Sequence, residues 1–170
     1  KMISERVFES YRKTLNINIV RPATVCGVSK RLRLDVSLNL MTYAAYKNKK
    51  IIVHGGQQVR PNINIKDLIR VIHFLIEKKI KNQTINAGFE NLKLIDLAKK
   101  ISKATNAKIQ VLPIIDKRSY YLNSDKLLKL GFKTKYNIKN AIDDLTDFFT
   151  KKKYTASDNN YNLKTMMKKI

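Results

Sequence analysis

Apolar residues recur along this chain at two periods, one helical and one alternating, and the two take turns from end to end. Ile3, Val7, Phe8, Tyr11 and Leu15 stand at helical spacing, which predicts a helix over residues 3–15. Asn16-Ile17-Asn18-Ile19-Val20 alternates like a strand and ends in Arg21-Pro22. Residues 23–34, with Gly27, Arg31 and Arg33, read as a loop. Asp35 suits an N-cap for a helix over 36–48. Ile51-Ile52-Val53 reads as a short strand closed by the Gly55-Gly56 turn. Asn62 to Ile65 alternates again, and Asp67 is read as the cap of a strongly apolar helix reaching about Lys79.

The second half repeats the theme. Thr84-Ile85-Asn86-Ala87 reads as a strand running into Gly88. A helix over about 92–105 turns Leu94, Leu97, Ala98 and Ile101 inward. Lys108 to Leu112 reads as a strand stopped by Pro113. Residues 122–125 cap a short helix to Leu130, with Gly131 at its C′ position. A final helix is expected from Ile138 to about Phe149, followed by a polar, basic and loosely held tail over 151–170. No internal repeat is visible. Helix and strand alternate throughout, so the class is α/β.

Composition narrows the picture. At 170 residues the chain can bury a real core, and 44% apolar content is too high for a disordered polymer. No window approaches the ~18 continuous apolar residues of a membrane span. The single cysteine, Cys26, excludes an intrachain disulfide and fits a reducing, cytoplasmic setting. The net charge of +22 raises nucleic acid as a partner, but 27 of the 35 basic residues are lysines scattered over helix surfaces. Aromatics do not interleave with them in a stacking pattern. Nucleic acid is therefore not the expected partner.

Four places carry candidate chemistry. Arg21-Pro22-Ala23-Thr24-Val25-Cys26-Gly27 leaves a strand at its carboxyl end, where open parallel sheets bind ligands. Asn39, followed by Leu40, sits in mid-helix, where asparagine gains only by meeting polar partners. Arg60 is held extended by Pro61 and offers a planar fork suited to a diphosphate. Arg118, in Asp116-Lys117-Arg118-Ser119-Tyr120, could close on the same group. Each has a plainer structural reading: a strand exit, a solvated face, a surface salt bridge, a solvated loop. His73 reads as a satisfied, partly buried histidine. His54, His73 and Cys26 show no metal-ligand spacing and support no nucleophile set. The five glycines, at 27, 55, 56, 88 and 131, include no G-x-G-x-x-G. This chain alone therefore does not cradle a pyrophosphate in the Rossmann manner.

Taken in order, these pieces resemble the extended short-chain dehydrogenase family, the NAD-dependent nucleotide-sugar epimerases and dehydratases. The resemblance runs from Lys1 to about Phe149, the later part of a family member. It implies the last strands and helices of a Rossmann-type parallel sheet, interleaved over 1–150 with a small C-terminal α/β substrate domain. Lys1 with Ser4-Glu5-Arg6 looks like the lysine of Tyr-x-x-x-Lys and the segment after it. It would poise a tyrosine lying upstream and hold the nicotinamide ribose. Arg21 to Gly27 is similar to the family's Arg-Pro-x-x-x-Tyr-Gly, which implies that Pro22, Ala23 and Val25 touch the cofactor, NAD or NADP. Cys26 replaces the usual aromatic there, and Thr24 stands where a substrate-binding asparagine is frequent. Asn39-Leu40 looks like the pair that meets the sugar diphosphate. Ile52 and His54 align with positions flanking the nucleobase. Arg60 to Asp67 is similar to Arg-x-x-x-x-Val-x-Asp, with Asn64 at a frequent histidine position, and Asn86-Ala87-Gly88 resembles the Asn-x-Gly ending the last sheet strand.

The resemblance thus implies a nucleoside-diphosphate sugar gripped by Thr24, Asn39, Leu40, Ile52, His54, Arg60 and Arg118. Arg60 and Arg118 are expected to converge on one anion pocket, floored by the loop after the strand ending at Arg21. The parent enzyme would be an epimerase, dehydratase or reductase, commonly a homodimer. The chain by itself is expected to be inactive, its glycine-rich loop and tyrosine lying upstream. A second reading stays open: a basic, non-enzymatic module for nucleic acid or an anionic surface, which steep salt dependence of oligonucleotide binding would mark.

Overall fold

The computed structural model describes residues 1–113, 116 and 118–167. Lys117 and the last three residues of the tail lie outside the described residues. The elements run α1 (Met2–Ser10), β1 (Ile19–Pro22), β2 (Thr24–Cys26), α2 (Ser37–Asn48), β3 (Lys50–His54), β4 (Val59–Asn64) and α3 (Ile65–Glu77). They continue as β5 (Thr84–Ala87), β6 (Glu90–Lys93), α4 (Leu94–Thr105), β7 (Lys108–Leu112), α5 (Asp125–Lys129), α6 (Ile138–Lys152) and α7 (Asn162–Met167).

Among the described residues the strands form three small sheets. β1 pairs in parallel with β5, Val20 opposite Ile85. β2 and β4 are parallel, while β6 joins β4 antiparallel. β3 pairs in parallel with β7. Parallel neighbours need long crossovers, and the stretch from β1 to β5 holds β2, α2, β3, β4 and α3 on the way.

Two apolar cores follow from this order. One packs α2, β3, α4 and α6 around Leu38, Ile51, Val53, Leu97, Ile101, Ile142 and Phe149. Tyr43 meets Phe149 edge-on there, with ring centroids 5.3 Å apart. The other joins Ile63, Val71, Leu75, Ile85, Leu127 and Phe132 beneath β5. Gly88 is fixed by packing: a Cβ there would lie 2.5 Å from the Ala23 Cβ and 2.8 Å from Leu122 Cδ2.

Several expectations are corrected. The stretch after Pro22 is a strand, not a loop: β2 adds Thr24, Val25 and Cys26 to β4. Residues 90–93 pair as β6 before α4 begins, so the helix expected from about 92 starts at Leu94. Asp35 does not cap α2; its carboxylate accepts from Arg33 Nε and from the Asn162 N–H. Asn64, not Asp67, caps α3, accepting from the Lys66 N–H at 2.9 Å. The fully buried Asp67 carboxylate instead accepts from Arg70 and from the N–H groups of Lys135 and Tyr136. His73 is exposed, not partly buried. α1 forms, but its apolar stripe buries nothing, and Ile69, Ile72 and Ile76 leave a similar stripe exposed on α3.

The tail also departs from expectation. Asn160 is buried and donates to the Leu32 carbonyl at 2.7 Å and to the Tyr154 hydroxyl at 2.7 Å. Leu34 N–H bonds the Asn160 carbonyl, and Ala156 N–H bonds the Tyr43 hydroxyl. Residues 154–162 are therefore stitched onto the loop before α2. No helix among the described residues is long and apolar enough to cross a membrane.

Candidate functional site

Period-two alternation along β3 buries Ile51 and Val53 and turns Ile52 and His54 to the opposite face. Leu40, on the outer side of α2, projects beside them. Together with Ser37, Met41, Gln58, Leu94, Asp116 and Arg118 they line one open cavity of about 430 Å³. Four of the expected substrate residues, Leu40, Ile52, His54 and Arg118, thus meet in one place. Gln58 shapes its rim, accepting from the Gly56 N–H and donating to the His54 carbonyl, each at 2.7 Å.

Arg60 joins this cavity through Asp116. Its Nη2 lies 2.9 Å from Asp116 Oδ2, its Nη1 donates to the Val59 and Arg118 carbonyls, and Tyr120 lies under the guanidinium at 5.3 Å. Arg118 donates from Nε to Asp116 Oδ1 at 2.8 Å and from Nη2 to Oδ2 at 3.0 Å. Its backbone N–H adds a bond to Oδ1 at 3.1 Å. The bonds from Arg118, helped by the charges of Arg118 and Arg60, hold the Asp116 carboxyl down at about 2. Asp116 is therefore anionic at any working pH. The two guanidinium groups converge, as expected from the sequence, but on a carboxylate of the chain itself. No residue of the stretch 22–27 lines this cavity, whose walls come instead from α2, β3, Gln58, Leu94, Asp116 and Arg118.

The remaining expected residues lie elsewhere. Asn39 is buried, accepts from the Gly27 N–H at 3.1 Å and donates to the Arg33 carbonyl at 2.9 Å. Both ends of its amide thus face backbone and clamp the β2 exit to α2. Thr24 sits in β2 opposite Asn62. Ala23 and Val25 pack against the second core. Lys1 and Pro22 share a separate open cavity of about 670 Å³ with Glu5, Phe8 and the β1 strand. Beside it Arg21 is engaged by Glu5, Nη2 to Oε2 at 2.5 Å. Burial pushes the Cys26 thiol up to about 12, so it stays protonated and unreactive. Among the described residues no group of three His, Cys, Asp or Glu could hold a metal.

Asp116 and Tyr120 were quoted in the sequence only as neighbours of Arg118. The signal that could have found Asp116 was the acid–x–base spacing, which lets one carboxylate take both the side chain and the N–H of the arginine two residues on.

Residues 1–88 match the NAD dependent epimerase/dehydratase family. The chain belongs to that family. A GDP-6-deoxy-D-talose 4-dehydrogenase of Aggregatibacter actinomycetemcomitans is 31% identical over 86 residues, covering 51% of this chain and 29% of that protein. The fold matches UDP-glucose 4-epimerase of Thermotoga maritima with a TM-score of 0.78 at 20% identity, over 91% of this chain and 53% of that one. It also matches UDP-glucuronic acid 4-epimerase of Bacillus cereus, solved with UDP-glucuronic acid and NAD, with a TM-score of 0.76 at 23% identity, over 91% of this chain and 52% of that one. This member of the family spans about half the length of those solved relatives. The family assignment bears out the resemblance read from the motifs, and the α/β fold with parallel pairs bears out the class.

Proposed function

We propose that this chain is the nucleotide-sugar-binding part of an NAD(P)-dependent sugar-nucleotide epimerase, dehydratase or reductase. One observation carries the reading: two arginines from distant points in the chain share one anion position on a cavity that offers Leu40, Ile52 and His54 as an apolar and aromatic wall. A diphosphate suits the arginines, which can each present a fork of donors. A nucleobase suits the wall. Asn39 acts at one remove, by fixing the α2 face from which Leu40 projects.

The cofactor fits less of the chain. Lys1 and Pro22 would meet the nicotinamide end, an ammonium for ribose hydroxyls beside a proline wall. When bound, NAD or NADP supplies a hydride acceptor. A pyrophosphate cradle is not among these residues, so the chain by itself is proposed to bind sugar nucleotide without turning it over. The setting is proposed to be cytoplasmic and the assembly a homodimer.

The test is calorimetric titration of the full chain with UDP-glucose, GDP-mannose and dTDP-glucose. At least one should bind, and Arg60→Ala should weaken it about tenfold or more, as loss of a charged contact to phosphate does. Binding unaffected by Arg60→Ala and by Arg118→Ala would defeat the reading. Tight oligonucleotide binding with a steep salt dependence would favour the basic-module alternative instead.

A further inference from the structure

We propose that Asp116 is a built-in competitor for the substrate's phosphate, occupying both arginines in the free chain and leaving them when a diphosphate arrives. The proposal rests on the reading of Arg60 and Arg118 as phosphate ligands, and deepens it. The Asp116 carboxylate accepts four donors: the N–H and Nε of Arg118 on Oδ1, and the Nη2 groups of Arg118 and Arg60 on Oδ2. Two donors on each of two oxygens is the arrangement that a phosphate would also use. The carboxylate and an incoming phosphate therefore ask for the same N–H groups, and both cannot have them.

The geometry shows which side would give way. Arg60 is fixed: its side chain is only 12% exposed, and it is tied to the Val59 carbonyl and to the Tyr120 ring, besides the backbone carbonyl of Arg118. Arg118 is 82% exposed and bonds nothing but Asp116 in the described contacts of its guanidinium. The Arg118 side chain is the free arm, and Asp116, 19% exposed, leaves its place only by giving up its bonds to both arginines. With Asp116 in place the three groups carry a net charge of +1, and without it +2. The carboxylate thus lowers the attraction for any anion. Only a ligand that adds contacts along Leu40, Ile52 and His54 offsets that loss. Asp116 would then discriminate against small anions and in favour of a complete nucleotide sugar.

The experiment titrates UDP and inorganic pyrophosphate into the full chain, comparing Asp116→Asn and Asp116→Ala with the unaltered protein. Circular dichroism checks the fold of each variant. Both substitutions should tighten binding about tenfold, with the larger gain for pyrophosphate, because a repelling charge leaves the anion's own position. If Asp116 instead serves to hold the arginines in place, both variants bind more weakly, and the proposal is overturned while the phosphate reading stands. If Arg60→Ala and Arg118→Ala bind UDP as well as the unaltered chain does, the phosphate reading falls and takes this one with it. A measurement without any Asp116 variant is available too. The Arg118 Nε–H resonance should move when UDP displaces Asp116, and a resonance unmoved at saturation would overturn the proposal.

Discussion

At the scale of single residues, the difference between what a side chain is and what it faces decides most of the outcome. Arg60 was marked by the proline that follows it and Arg118 by its place in a second loop. Their mutual approach follows from the fold. Asn39 stood out equally, yet its amide is turned to the Gly27 N–H and the Arg33 carbonyl. Spacing alone marks a mid-helix asparagine as needing partners, but does not say whether they are backbone or ligand. Gly88 is the clearest case of a residue set by its surroundings. Its missing side chain lets β5 end against Ala23 and Leu122. Gly88→Ala is expected to destabilise the chain by about 2 kcal/mol, in the range for overpacking a close contact. Urea unfolding followed by circular dichroism reads this as a lower midpoint at an unchanged slope. A midpoint equal to the parent's would mean that Ala23 and Leu122 yield freely.

At the scale of elements, the long periodic segments and the strands at 50–54, 84–87 and 108–112 were legible, while two short strands beside β4 were not. α2, α3, α4 and α6 all lie where the helical spacing put them, within a few residues. β2 and β6 are three and four residues long, and both owe their extended shape to β4 between them. A strand made by its neighbour leaves little trace in its own composition. The tail was misread for a related reason. Residues 154–162 are largely polar, and polarity suggests solvation, but Tyr154, Ala156 and Tyr161 pack on the larger core while Asn160 bonds the backbone of the loop before α2. Asn160 is the hinge of that docking, serving Leu32, Tyr154 and the Ser157 N–H at once. Asn160→Ala is expected to lower stability by about 2 kcal/mol, the penalty for leaving buried partners unsatisfied. Limited proteolysis should show faster cleavage after the lysines at 151–153 in the same variant. Identical cleavage rates and an unshifted urea midpoint would show that this segment does not support the loop.

At the scale of the whole molecule, the two cores explain why one half of the candidate site was easier to foresee than the other. The cavity around Leu40, Ile52 and His54, proposed for the nucleotide, stands on the larger core, whose helices announce themselves by periodicity. The cavity at Lys1 and Pro22, proposed for the cofactor, stands on a two-stranded sheet and on a helix that buries none of its own residues. There the sequence pattern points at surface that this chain does not cover. Charge acts on the molecule as a whole as well. Thirteen acidic residues face 35 basic ones, leaving an excess of 22 positive charges whatever the pairing. Several ion pairs among the described residues are exposed and local, such as Lys139 with Asp143 and Lys151 with Asp147, and pairs of that kind contribute little. The long-range term is therefore repulsive, and salt should weaken it, since the screening length falls to about 10 Å at 0.1 M. Raising sodium chloride from 10 to 300 mM, which are chosen conditions spanning roughly that screening range, is expected to raise the thermal midpoint by about 3–5 °C. Chloride is preferred to sulfate for this, because sulfate strengthens apolar burial in its own right. A midpoint that falls with salt would mean that the ion pairs, and not the excess charge, dominate the electrostatics of this fold.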